Sequence, residues 1–210
     1  MNAQTIQIEI TKAIIAKSGL EQHRDYVGFS KIGNCPLQIY REFMSKQKTT
    51  TTESDHRFCY AGYHQEDDIA GILESAGILA PGTRNTQIVS SISPIFKGHI
   101  DGLTIGGELI EIKSVNGERF ERIRSKQKCD YRHFIQVQLY MRYGGMPCAF
   151  VIYRNRDTYE TLVLRVPYVK GVADDLEKKA LEILDAIKNE TAPACTCGHC
   201  VITAPTTGVL

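Results

Sequence analysis

The stretch GHIDGLTIGGELIEIKSV, residues 98–115, constrains the chain more than any other. Two runs rich in aliphatic residues flank Gly106-Gly107, a pair that reverses hairpins. In a strand, successive side chains point to opposite faces. Glu111 and Lys113 therefore share one face, while Ile110 and Ile112 point the other way into a core. Asp101 closes the first run, and the nine residues between it and Glu111 suffice for a turn that brings the two carboxylates together.

The surrounding sequence supplies helices. Residues 33–46 hold GNCPLQIYREFMSK, where Pro36 suits a helix start and Leu37, Tyr40 and Met44 make one face. Residues 60–76 read as a helix with Ile69, Ile72, Leu73 and Ala76 on one face and Gly77 as its stop. Strands are predicted over 87–91, 95–101 and 108–114, and again over 148–153 and 160–166, with a helix over 131–143 between the two groups. Residues 172–188 form an amphipathic helix with Val172, Leu176, Ala180, Ile183, Leu184 and Ile187 inward. Residues 5–18 fit a short helix or an extended arm equally, and the polar run 49–52 is a loop. This order predicts an α/β architecture, a mixed central sheet flanked by helices, with a cysteine-rich C-terminal tail.

A chain of 210 residues fits one domain, here 1–210, with a core over about 58–188 and a clip formed by the N-terminal segment and tail 189–210. The net charge is +1, so a nucleic-acid partner would have to be met by locally concentrated charge. No run of about 18 apolar residues is present, so no membrane partner is expected. The N-terminus lacks the pattern of a secretory signal. A cytoplasmic location follows as the expectation, with the seven cysteines as thiols or metal ligands.

A surface hairpin would explain Glu111-x-Lys113 without chemistry. Adding Asp101 changes the balance. Two carboxylates at the ends of paired strands suit a hard divalent cation, Mg²⁺ or Mn²⁺, shared with water and phosphate oxygens. A lysine two residues on could hold the attacking water or neutralise developing charge. Gln136 and Tyr140 stand four apart on one face of the helix that follows, whereas Gln138 lies on another. Between these elements, residues 118–132 carry six Lys or Arg against three Asp or Glu and read as a loop. Arg119, Arg122, Arg124, Lys126 and Lys128 are its candidate DNA-binding residues, and Phe120 and Tyr131 could stack on bases.

The tail holds Cys195-Thr-Cys197-Gly-His-Cys200, three thiols within six residues. Such density predicts metal binding, with Cys35 as the distant fourth ligand. Four thiolates suit a [4Fe–4S] cluster or Zn²⁺, and His199 could replace one thiol in a zinc site. Cys59, Cys129 and Cys148 read as ordinary thiols.

Taken in order, these motifs resemble the PD-(D/E)XK nuclease superfamily. More narrowly they resemble its RecB-like branch, with the CRISPR-associated iron–sulfur exonucleases and phage-encoded relatives. The resemblance rests on Asp101 and Glu111-Ile112-Lys113, on Ala61-Gly62-Tyr63-His64, on Gln136 to Tyr140, and on Cys35 with the three tail cysteines; it spans residues 30–200. It implies a restriction-endonuclease-like core. It implies a catalytic set of Asp101, Glu111, Lys113, Gln136 and Tyr140, and a cation held by His64, Asp101, Glu111 and the carbonyl of Ile112. It also implies a [4Fe–4S] cluster on Cys35, Cys195, Cys197 and Cys200, although the spacing C-x-C-x2-C is tighter than the relatives' C-x2-C and longer gap. Glu66, Asp67 and Asp68 read as a solvated face beside His64. The expected activity is an exonuclease on single-stranded DNA ends. The alternative is a non-catalytic DNA-binding or assembly module, and a zinc-ribbon-like adaptor is more distant. The sequence carries no phosphate-loop helicase motif, so unwinding would need a helicase or recombination partner.

Overall fold

The computed structural model describes residues 2–18, 24–45, 51–198 and 200. In chain order the helices are α1 (Ala3–Lys17), α2 (Pro36–Met44), α3 (Glu53–Ser75), α4 (Gly117–Lys126), α5 (Tyr131–Gly144) and α6 (Lys170–Lys188). The strands are β1 (Val27–Gly28), β2 (Gln87–Val89), β3 (Phe96–His99), β4 (Gly102–Leu103), β5 (Leu109–Val115), β6 (Cys148–Asn155) and β7 (Thr161–Pro167). No helix among the described residues is long and apolar enough to cross a membrane.

A four-stranded sheet in the order β4-β5-β6-β7 forms the centre. Strands β5 and β6 run parallel, and the other neighbours are antiparallel. Parallel strands need a crossover, and α4 and α5 supply it. A smaller sheet, β1-β3-β2, precedes it, and Asp101 lies where the chain passes from β3 into β4.

Strand β5 is covered on both faces. Ile110 and Ile112 pack with Ile69, Ala70, Leu79 and Ile152 beneath α3. Leu109 and Val115 join the main core with Val137, Leu139, Val151 and residues of α6. Glu111 lies on this second face and is itself buried, at 1 % exposure. The expected alternation holds, and both of its faces are buried.

Helix α5 ends at Gly145, whose φ of 74° is a left-handed conformation that glycine adopts without steric cost. The expected strands 87–91 and 95–101 are shorter than predicted, because Ser93-Pro94 and Asp101 stand at bends. In α6, Ala173 and Ala186 join the buried stripe, and Val172 and Leu184 are half-buried.

Four other expectations are corrected. The loop predicted over 118–132 is largely helix α4. Asn116 caps it by accepting from the Arg119 amide at 3.0 Å, and Phe120 and Ile123, three apart, anchor it inward. The charge density of this segment hides so short an apolar stripe. Helix α3 starts at Glu53 rather than residue 60, because Thr52 and Asp55 form a reciprocal capping box. Ile72 on this helix and Ala76 just after it were expected inward and are exposed. The core also reaches beyond 58–188, since Val27, Phe29, Ile32 and Ile39 belong to it.

The open choice for residues 5–18 is settled as helix α1. None of its residues is buried, although His56 of α3 meets Ser18 Oγ just after it at 2.5 Å. Within the expected loop 49–52, residues 51 and 52 are irregular, while 49 and 50 lie outside the described residues.

Candidate functional site

Asp101, Glu111, Lys113, Gln136 and Tyr140 come together where β3, β5 and α5 meet. Asp101 Oδ2 accepts from the Ile112 amide at 2.6 Å, which pins the bend between β3 and β4 to the middle of β5. Lys113 Nζ forms an ion pair with Glu111 Oε1 and donates to the Ile112 carbonyl at 3.0 Å. Gln136 Nε2 donates to the same Glu111 oxygen at 2.8 Å and lies 3.4 Å from the Tyr140 hydroxyl. That hydroxyl donates to the His99 carbonyl at 2.6 Å, two residues before Asp101. Gly98 makes this possible, because a Cβ there would stand 2.8 Å from the Tyr140 hydroxyl oxygen. Gln138 is occupied elsewhere, bracing the backbone at Pro167 and Val169.

Glu111 Oε2 is buried and has no hydrogen-bond partner. A buried carboxylate oxygen left this way is costly unless something positive reaches it. Burial pushes the Glu111 carboxyl upward, Asp101 and Glu66 add to this, and Lys113 opposes without cancelling it. Burial works against the Lys113 ammonium, yet Glu111, Asp101 and Glu66 hold it charged.

Glu66 is the residue that sequence reasoning missed. The expected solvated face holds for Asp67 and Asp68, which are exposed, but Glu66 is half-buried and close enough to sense Lys113 and Asp101. Burial raises its carboxyl to about 7, with Asp101 adding and Lys113 opposing. The neighbouring Gln65 accepts from Ser114 Oγ at 2.8 Å, which fixes this turn of α3 against β5. The signal was there in the spacing: Glu66 stands three and four residues before the buried Ile69 and Ala70, on their face. His64 is exposed, with its ring edge against Tyr60 at 4.3 Å between centroids. It is not gathered with Asp101 and Glu111 into a close ligand group, and among the described residues only the cysteines form one.

Three carboxyl groups gather near one lysine, and one Glu111 oxygen lacks a partner. These hard oxygen donors fit a divalent cation such as Mg²⁺ or Mn²⁺.

Next to the site, the Tyr153 hydroxyl collects the Asp130 amide at 3.0 Å, His133 Nδ1 at 3.0 Å and Cys129 Sγ at 3.1 Å. Burial lowers His133 to about 3, helped by the positive charges of Lys113 and Arg119, so its imidazole is neutral.

The candidate DNA-binding residues divide. Arg119 Nε lies 3.2 Å and Arg122 Nη2 3.9 Å from Asp130 Oδ2, and Arg124 pairs with Glu121 and Glu160. Lys126 and Lys128 are exposed. Phe120 is 1 % exposed, so it packs in the core and cannot stack on a base, which corrects that expectation. Tyr131 is 69 % exposed and keeps that possibility.

Cys35, Cys195, Cys197 and Cys200 converge at the opposite ends of α2 and α6, with all four sulfurs within 4.8 Å of one another. His199 lies outside the described residues. Cys148 is buried, while Cys59 and Cys129 are partly so, and none of the three joins the cluster.

No protein-family model and no curated protein matches this sequence. Among solved structures, the fold is similar to that of the alkaline exonuclease LHK-Exo from Laribacter hongkongensis. That match has a TM-score of 0.63 at 15% identity, over 85% of this chain and 93% of the other. LHK-Exo in complex with dAMP matches with a TM-score of 0.64 at the same identity and coverage. The structure of SSO0001 is similar at a TM-score of 0.61 and 15% identity, over 94% of this chain and 96% of that one. The chain thus shares the mixed α/β fold of these proteins.

Proposed function

We propose that the protein is a divalent-metal-dependent deoxyribonuclease that hydrolyses phosphodiester bonds from single-stranded DNA ends. The observation that carries this reading is the buried, unpartnered Oε2 of Glu111, whose other oxygen pairs with Lys113 and which feels the nearby Asp101 and Glu66 carboxyls. A binding module gains nothing from such a group. The alkaline exonuclease fold and its complex with dAMP support DNA as the substrate.

Asp101, Glu111 and the Ile112 carbonyl would hold Mg²⁺ or Mn²⁺, with Glu66 as the ligand from α3 in the place the resemblance gives to His64. A cation bound there would polarise a phosphate and ease deprotonation of water. Lys113 has the charge and the reach to neutralise the anionic transition state. Gln136 is a positioning residue: its amide fixes one Glu111 oxygen and thereby aims the other. Tyr140 in turn fixes Gln136 and the strand that carries His99. The basic face of α4 and the exposed Tyr131 would guide the strand toward the carboxylates. A helicase or recombination partner would supply ends when the substrate is duplex.

The test incubates the purified protein with end-labelled single-stranded and duplex DNA, with and without Mn²⁺. Release of mononucleotides from single strands only when Mn²⁺ is present is the expected result. Tight binding with no cleavage under any metal would favour a non-catalytic module instead. Parallel His64→Ala and Glu66→Gln variants assign the helix ligand, with the larger loss expected for Glu66→Gln.

A further inference from the structure

The cysteine site has a measurable size. Sulfur–sulfur distances are 3.9 Å for Cys35–Cys195, 3.6 Å for Cys195–Cys197 and 3.4 Å for Cys197–Cys200. Four thiolates at the corners of a tetrahedron, each about 2.3 Å from a single Zn²⁺, stand about 3.8 Å apart. A four-iron cluster asks for something wider. Each thiolate takes its own iron, inorganic sulfides fill the space between, and the cysteine sulfurs radiate away from one another. The set seen here has the dimensions of one ion and leaves no room for a cuboid core.

The local chain agrees with that size. A single residue, Thr196, separates Cys195 from Cys197, and it turns back on Cys35: its hydroxyl lies 3.8 Å from Cys35 Sγ and its amide also donates there. The amide of Leu37, two residues after Cys35 at the start of α2, is a second donor to the same sulfur. Amides on a thiolate are charge-assisted and favour the anionic, metal-binding form.

We infer that Cys35, Cys195, Cys197 and Cys200 hold one tetrahedral Zn²⁺ ion in place of the iron–sulfur cluster that the family resemblance implies. Four thiolates leave no open position, so the ion is structural. It joins residues 160 apart in sequence, the start of α2 and the tail beyond α6. Four thiolates around a dication leave a net negative centre. Lys179 of α6, whose ammonium donates to the Asn34 carbonyl at 2.8 Å, offsets it from the position next to Cys35. The inference rests on the cysteines alone and stands or falls apart from the nuclease reading.

The experiment uses the full chain, expressed with iron and zinc both supplied and purified without oxygen. Metal analysis should give a single zinc per chain in a colourless protein. Replacing zinc with Co²⁺ should give the intense charge-transfer and ligand-field bands of a tetrahedral thiolate site. Cys35→Ser and Cys200→Ser should each lose the ion and melt at a lower temperature, while Cys148→Ser and His199→Ala should keep it. A brown protein with about four irons and matching sulfide per chain overturns the inference. So does a wild-type protein that binds neither zinc nor Co²⁺, a measurement that needs no variant to fold. Loss of zinc in His199→Ala with retention in Cys200→Ser would overturn the ligand set.

Discussion

The Gln136 amide donates to Glu111 Oε1 at 2.8 Å and leaves Glu111 Oε2 buried without a partner. One residue of α5 thus decides which oxygen of a strand carboxylate is available. Glu111→Gln and Lys113→Ala should each lower the hydrolysis rate by roughly 10²–10³-fold, the usual cost of one charge-stabilising group. Gln136→Ala should cost about 10–100-fold and weaken the apparent Mn²⁺ affinity, as loss of a group that orients a metal ligand does. Full Mn²⁺-dependent activity in Glu111→Gln or Lys113→Ala would refute the site.

His133 makes stability depend on pH. Burial, with Lys113 and Arg119, lowers it to about 3, whereas an unfolded histidine titrates near about 6.5. Between these values the unfolded chain binds the extra proton. Stability is therefore fully present above pH about 6.5 and falls on acidification, by up to about 1.4 kcal/mol per pH unit. Urea melts of wild type and His133→Gln between pH 4 and 8 should show a shallower slope in the variant. Equal slopes would mean that His133 charges freely in the folded state.

Phe120 and Tyr131 should separate cleanly. Phe120→Ala empties a core position and should cost about 3–5 kcal/mol of stability. Tyr131→Ala should leave stability within about 0.5 kcal/mol, as surface changes do. If Tyr131 stacks on a base, its loss should weaken single-strand binding by about 1–3 kcal/mol. Thermal melts and fluorescence titration with a short oligonucleotide measure both. An unchanged Kd for Tyr131→Ala would remove it from the interface.

Arg122, Lys126 and Lys128 are the cations of the α4 segment least tied up by nearby carboxylates. Their combined replacement by Ala should reduce the salt dependence of single-strand binding by up to about 2 in log–log slope, at about 0.7 for each phosphate no longer neutralised. Arg119→Ala should act differently, by freeing Asp130 and loosening the start of α5, where Asp130 accepts from the Arg132 amide at 3.2 Å. A slope that stays constant in the triple variant would show that this face is only solvated.

Period-2 alternation across Ile110 to Lys113 was enough to put Glu111 and Lys113 on one face, because a pleated strand leaves no choice. The four-residue spacing of Gln136 and Tyr140 did the same for α5. The order of the main strands and helices, α4 excepted, followed from the change of period along the chain, while the parallel crossover between β5 and β6 did not. Helix α4 was not legible because two inward residues, Phe120 and Ile123, are too few to register against its four cations.

Local sequence therefore determined which residues share an element and a face, since backbone geometry fixes that within a few positions. It could not determine which faces meet. That Glu66 is half-buried and senses Asp101 and Lys113 while His64 is exposed depends on how α3 packs against β5, through Ile69 and Ala70 on Ile110 and Ile112. That Glu111 is buried, and one of its oxygens left alone, depends on α5 closing the second face of the same strand. The spacing of the cysteine sulfurs likewise exists only once α2 and the tail beyond α6 are brought together. Each of these is a contact between segments far apart in the chain, decided by the summed packing of a core that no single motif contains.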